Sequence, residues 1–172
     1  MSKAVGKTFR PGEKSGSSKE SKLGPCPAAD WSQKVDWKQY LDGLRQHCSQ
    51  ITAGGIFLIN GDTLAVDNIP DIPTYKEIKK EVVPLFKNPV TLDHSEFHFF
   101  NFNSVRYRLD RVEKKSILRA ETENEDIPMT VMKTPRGVVV LAIGNEDSLD
   151  DSGEKVATAV IRITNFLEMC GY

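Results

Sequence analysis

The chain has 172 residues, enough for one domain with a real hydrophobic core and no need of metals or disulfides to hold it. Its 23 Lys and Arg stand against 24 Asp and Glu, so bulk charge gives no reason for nucleic-acid binding, and any site for an anionic partner has to be local. No apolar run approaches the roughly 18 residues of a membrane span. The first 30 residues lack the apolar stretch of a signal peptide, and the three cysteines, Cys26, Cys48 and Cys170, stand far apart with no C-x-x-C. Neither a disulfide framework nor a zinc knuckle is indicated, and the expectation is a soluble protein of the reducing cytoplasm.

Residues 1–29 are rich in Lys, Ser, Gly and Pro and almost free of large apolar side chains, so they cannot bury enough surface to offset their ordering entropy. They read as a disordered basic extension, with Lys3, Lys7, Arg10, Lys14, Lys19 and Lys22 against Glu13 and Glu20. Two readings stay open: a merely solvated tail, or one that tunes access to the nearby Trp31 and Trp37. The domain proper is expected over residues 30–172. Asp30 is an acidic cap candidate ahead of Trp37, Tyr40, Leu41, Leu44 and Cys48, which recur at helical intervals.

The apolar runs on either side of Asn60-Gly61, within residues 54–66, read as a β-hairpin, because Asn-Gly suits the tight turns that join antiparallel strands. Thr74-x-x-Glu77 resembles a capping box opening a short helix with Ile78, Val82 and Leu85 as its apolar stripe, limited by Pro84 and Pro89. Strand-period alternation follows at Phe97, Phe99, Val105, Tyr107 and Leu109, with Asn103-Ser104 as a turn. Further strands are expected at about 116–121, 129–133 and 138–143, separated by loops at 121–126 and 134–137. After an acidic loop at 145–152, a last helix from about Gly153 buries Val156, Val160, Ile163 and Leu167. The class is α+β, with an antiparallel sheet whose apolar faces the helices cover.

Aromatic residues three apart on a helix project from one face. If the two terminal helices lie side by side, Trp37, Tyr40, Phe166, Leu167 and Tyr172 line one groove, and such a surface suits an extended proline-rich peptide. The alternative is that Trp37 and Tyr40 only pack between two helices. Arg106-x-Arg108 puts two arginines on one face of a strand, and Arg111, Lys114, Lys115 and Arg119 follow closely. This patch suits phosphate groups or an anionic membrane, or is an ordinary solvated strand and turn. The acidic residues Glu146, Asp147, Asp150, Asp151 and Glu154 meet a basic patch on a partner or only solvent.

Catalysis is not expected. His47, His94 and His98 are scattered, no Gly-x-Ser-x-Gly elbow occurs, and Gly54-Gly55 lacks the Lys-Ser/Thr of a phosphate loop. His94-x-x-x-His98 lies among phenylalanines that suggest strand or loop, where this spacing does not converge on a metal.

Trp37-x-x-Tyr40-x-Asp42-x-Leu44, the hairpin from Ile56 to Val66 and the Val105-Arg106-Tyr107 strand are followed by the strand end Lys133-Thr134. The series closes with Asn165-Phe166-Leu167 and Cys170-Gly171-Tyr172. In order and spacing, over about Trp37 to Tyr172, it resembles the profilins. The resemblance implies a central antiparallel sheet with the N- and C-terminal helices on one face and smaller helices on the other. It implies a monomeric regulator of actin polymerisation that binds actin monomers stoichiometrically, binds proline-rich proteins and acidic phosphoinositides, works at the cytoskeleton and needs no cofactor. By the resemblance, Trp37, Tyr40, Phe166, Leu167 and Tyr172 form the proline groove. Leu64 stands where the family carries a further Trp, which implies weaker proline binding. Lys133, Glu154, Lys155 and Thr158 fall on the actin surface. A longin or roadblock-type trafficking module shares this order of elements and is the alternative; a tight homodimer would favour it, a monomer the profilin reading.

Overall fold

A computed structural model describes residues 35–69, 74–87, 98–114, 116–146 and 151–172. The expected disordered extension, the Asp30 cap, His94 and Lys115 lie outside the described residues.

The first helix, α1, spans Lys38–His47. Its start is set by Asp36, whose carboxylate accepts the Lys38 N–H at 3.2 Å and so satisfies one of the amides that a helix leaves unpaired at its beginning. Trp37 stands one residue ahead with helical dihedrals, φ −65° and ψ −21°, and its carbonyl accepts the Tyr40 N–H. Tyr40, Leu41, Leu44 and Cys48 are all buried, as the helical spacing predicts.

Strands β1 (Ala53–Leu58) and β2 (Thr63–Asp67) form the expected hairpin. Asn60-Gly61 sits inside a four-residue connection, 59–62, rather than forming a two-residue turn. The Asn60 side-chain oxygen accepts the Asp62 N–H at 3.0 Å and Gly61 takes a φ of 99°. Gly54 lies under α1: a Cβ there would meet the Leu141 carbonyl at 3.3 Å and the side chains of Leu41 and Leu44 at 3.6 Å. Glycine at this point lets the helix approach the sheet closely.

The middle helical segment is longer than Pro84 suggests. Helix α2 (Thr74–Glu77) leads into a π-turn at Ile78–Val82, and α3 (Val83–Lys87) continues it. The Val83 N–H reaches back to the Ile78 carbonyl, five residues away. The widened turn comes directly before the proline, which has no N–H to continue an ordinary ladder. The Glu77 carboxylate accepts the Asn103 N–H at 2.7 Å and so ties α2 to the sheet.

Strands β3 (Phe99–Phe102) and β4 (Val105–Glu113) are joined by Asn103 and Ser104 with φ of 53° and 61°. Two successive positive φ values are the signature of the hairpin turn whose twist matches that of the strands. Strands β5 (Ile117–Thr122), β6 (Pro128–Lys133) and β7 (Val138–Ile143) follow, and α4 (Ser152–Met169) ends the chain. The seven strands run in the order β2-β1-β7-β6-β5-β4-β3, each antiparallel to its neighbours.

Alternation along β7 separates two cores. Val138, Val140 and Ala142 face α1 and α4, where Val156, Val160, Ile163 and Leu167 are fully buried. Val139 and Leu141 face Ile78, Val82, Leu85 and Phe86 of the middle helical segment. Because both faces are covered, β7 reads as a continuous apolar run rather than an alternating one. The expected placement of terminal helices on one face and smaller helices on the other is the one observed.

Candidate functional site

The aromatic cluster is built by the way α4 ends. Gly171 takes a φ of 86°, its N–H donates to the Glu168 carbonyl at 2.9 Å, and the Tyr172 N–H donates to the Leu167 carbonyl at 3.0 Å. This is the paired closure that a left-handed glycine allows at a helix C-terminus. It folds Tyr172 back onto Leu167 and against the start of α1.

Trp37 meets Tyr172 edge to face with ring centroids 5.1 Å apart, and Tyr40 with centroids 5.8 Å apart. Tyr40 in turn lies 6.2 Å from Phe166. The four rings form one continuous array between α1 and α4, all within the range where aromatic pairs attract beyond simple burial. Tyr40 and Tyr172 are each 1% exposed and Leu167 is fully buried, whereas Trp37 and Phe166 are half-buried. Trp37 and Phe166 are therefore its accessible rim, and Leu64 packs against the same core, half-buried. The Tyr40 hydroxyl is buried with no hydrogen-bond partner among the described residues. Burial, and then the neighbouring Tyr172 phenol, push its pKa up.

Of the residues expected to bind phosphoinositides, the four arginines are paired within the molecule. Arg106 and Arg108 do share a face of β4, but Arg106 lies 3.6 Å from Glu123 and over the Phe99 ring at 4.2 Å, and Arg108 pairs with Glu121 across the strands. Arg111 and Arg119 are opposite one another on β4 and β5. Two like charges so placed repel, and the Glu154 carboxylate from the start of α4 lies between them, 3.1 Å from Arg111 and 2.5 Å from Arg119. Glu113 completes the group at 2.9 Å from Arg111 and 3.1 Å from Arg119. Lys114 is exposed.

Of the residues expected on an actin surface, Glu154, Lys155 and Thr158 lie together on α4. Lys155 pairs with Asp151 at 3.1 Å, and the Thr158 hydroxyl donates to the Glu154 carbonyl at 2.8 Å. Lys133 is on the other side of the sheet, with its ammonium 5.9 Å from the Phe86 ring centroid. The structure thus joins Glu154 to the arginine group and separates Lys133 from it. Glu113, Glu121 and Glu123 went unnoticed in the sequence because a cross-strand partner is defined only by register.

The cysteines depart from expectation. Cys48 is a free, buried thiol, but Cys170 is disulfide-bonded. Spacing along the chain carries no signal for a bond between distant cysteines. No group of His, Cys, Asp and Glu able to hold a metal occurs among the described residues, and no described helix is long and apolar enough to cross a membrane.

Neither a scan against protein-family models nor a search of curated proteins finds a match. Solved structures do match. Profilin IB of Acanthamoeba castellanii superposes with a TM-score of 0.62 at 17% identity, covering 79% of this chain and 99% of that one. LokiProfilin2, solved in complex with rabbit actin, gives a TM-score of 0.58 at 10% identity and covers 77% of this chain and 98% of its own. Mouse profilin IIa, solved with a double repeat from the FH1 domain of mDia1, gives 0.56 at 13% identity, covering 80% and 100%. At these identities the likeness establishes the fold.

Proposed function

We propose that this profilin-fold chain binds actin monomers and regulates their polymerisation by stoichiometric binding, and that it recruits proline-rich partners through the aromatic array between α1 and α4. The observation that carries the reading is that array: Trp37, Tyr40, Phe166 and Tyr172 meet between the terminal helices of a fold shared with a profilin solved on an FH1 repeat. Actin binding is supported by the match to nearly the whole of LokiProfilin2, itself solved on rabbit actin. The role is binding rather than catalysis, it needs no cofactor, and its place is the cytoplasm and the cytoskeleton.

The accessible rim, Trp37 and Phe166, supplies flat apolar area on which proline rings stack, and a preformed extended peptide loses little entropy on docking. Leu64 in place of an aromatic narrows that platform. For actin, the exposed charges at the start of α4, Glu154 and Lys155, with Thr158 beside them, are the contact residues we assign. Binding of acidic phosphoinositides through Arg106, Arg108, Arg111, Lys114, Lys115 and Arg119 requires phosphate to compete with the carboxylates already paired to the four arginines, and ranks behind the other two.

Actin binding is tested by following the polymerisation of labelled actin with increasing amounts of the full chain. A dose-dependent change in nucleation that saturates near one chain per monomer, and that is weakened by Lys155→Glu, is expected. Polymerisation unaffected at every ratio removes actin as the partner.

A further inference from the structure

The methionines among the described residues differ sharply in their surroundings. Met129 and Met132 are buried, one in each core, whereas Met169 is 84% exposed. It is the most open large apolar side chain of the described residues; the next, Val66, is 44% exposed. We propose that Met169 is a further contact on the rim of the aromatic array, beside Trp37 and Phe166, and that oxidation of its thioether to the sulfoxide by a peroxide weakens the hold on a proline-rich peptide. The consequence for binding rests on the proline-groove reading above; the selective oxidation does not.

The helix sets the position. Met169 is the last residue of α4 and follows Phe166 by three. Residues three apart are neighbours on a helix surface, and a helical side chain covers the turn N-terminal to its own Cα, which here is the turn that carries Phe166. The residues that follow fix the place from the other side: Cys170 is buried in the core shared by α1 and α4, and Gly171 turns Tyr172 back into the array. Met169 thus borders the array where Phe166 and Tyr172 close it, and its side chain is left open to what docks there.

The thioether suits that task. Methionine is unbranched and polarizable, so it adapts to an irregular apolar surface and to the edges of aromatic rings. The pyrrolidine rings of a proline-rich peptide are such a surface, and the peptide brings no proline N–H that would need an acceptor. A sulfoxide is polar and hydrated, and pressing it against the same rings removes water without replacing its hydrogen bonds.

The chemistry balances with hydrogen peroxide as oxidant. A sulfur lone pair attacks one peroxide oxygen, the O–O bond breaks, that oxygen stays on sulfur, and the other leaves as water. The sulfur loses two electrons and the peroxide gains them. A methionine sulfoxide reductase with a dithiol as reductant reverses the step, giving thioether, water and disulfide. Burial keeps Met129 and Met132 from the same reaction.

The full chain is treated with graded hydrogen peroxide, with and without a saturating proline decapeptide. Sulfoxide at each methionine is quantified by mass spectrometry of its peptides, and peptide affinity and melting temperature are measured before and after treatment. Met169 should oxidise about tenfold faster than Met129 and Met132, and bound peptide should slow it about threefold. The oxidised chain should bind the peptide about fivefold more weakly with an unchanged melting temperature. Met169→Gln, uncharged and polar, should bind as the oxidised chain does; Met169→Leu should bind as the native chain and keep its affinity after peroxide. Met169 oxidation as slow as that of the buried methionines overturns the proposal. So does a bound peptide that gives no protection, an oxidised chain of native affinity, or a Met169→Leu chain that loses as much affinity to peroxide. Rapid, selective oxidation of Met169 in a chain that binds no peptide before or after treatment supports the oxidation site and refutes the proline groove, and the rim contact with it.

Discussion

Gly171 shows how much one residue decides. Its φ of 86° is a conformation that a side chain makes costly, and it turns the last residue back into the aromatic array. Gly171→Ala should cost about 1 kcal/mol, a fall in melting temperature of roughly 2–4 °C for a chain this size, and should weaken proline binding because Tyr172 is displaced. An unchanged melting curve and affinity would show that the closure does not position Tyr172. On the other face of the sheet, Tyr107 stacks on Phe100 with ring centroids 5.7 Å apart, and burial pushes its phenol up to about 12 from an ordinary 10.0. Below pH 10 both native and unfolded chains keep this proton and the contribution is intact. Between about pH 10 and 12 only the unfolded chain ionises, so stability falls as pH rises, by on the order of 2–3 kcal/mol. Tyr107→Phe should flatten that part of the stability-pH curve in denaturant titrations, and an equal slope in the variant would contradict the assignment.

At the scale of elements, the apolar stripes of α1 and α4 and the Asn103-Ser104 turn were legible because each is a local pattern. Val156, Val160, Ile163 and Leu167 announce a buried helix face by spacing alone. The continuation through Pro84 was not legible, since the π-turn that accommodates it depends on packing against the sheet. Nor was the pairing of the arginines: Arg106 and Arg108 look like an open cationic face in sequence, and only the β4–β5 register reveals Glu121 and Glu123 beside them. Each exposed pair contributes little, about 0–1 kcal/mol, so their main effect is on the local field. Removing a carboxylate should therefore release cationic charge. Glu154→Gln is expected to raise co-sedimentation with anionic liposomes, and Arg106→Glu with Arg108→Glu to lower it, both effects fading at high salt. Equal co-sedimentation of all three proteins would remove these arginines from any lipid site.

For the molecule as a whole, the alternation of the strands and the helices at either end made the α+β class readable, and the Trp37-x-x-Tyr40 and Cys170-Gly171-Tyr172 ends pointed to the profilin fold. The disulfide at Cys170 was hidden, because bonding between distant cysteines is a property of the assembled fold. The described core is closed by α1, α4 and the middle helical segment on the two faces of one sheet, with buried side chains supplied from Tyr40 to Tyr172. Residues 1–29 bring almost no large apolar surface. Under reducing conditions, deletion of residues 1–29 should leave the melting temperature within a few degrees of the full chain, and a larger drop would make the extension part of the core. The account also requires a monomer in solution; a tight homodimer measured by light scattering would favour a trafficking-type module.

The most direct test of the central claim is a titration of intrinsic tryptophan fluorescence with a proline-rich peptide of about ten residues, in reducing buffer, with Trp37→Ala as control. The account predicts a saturable change in the native chain that Trp37→Ala loses while its circular dichroism stays native. No change in the native chain, or an equal affinity in the variant, would contradict the assignment of the aromatic array as a proline-binding site.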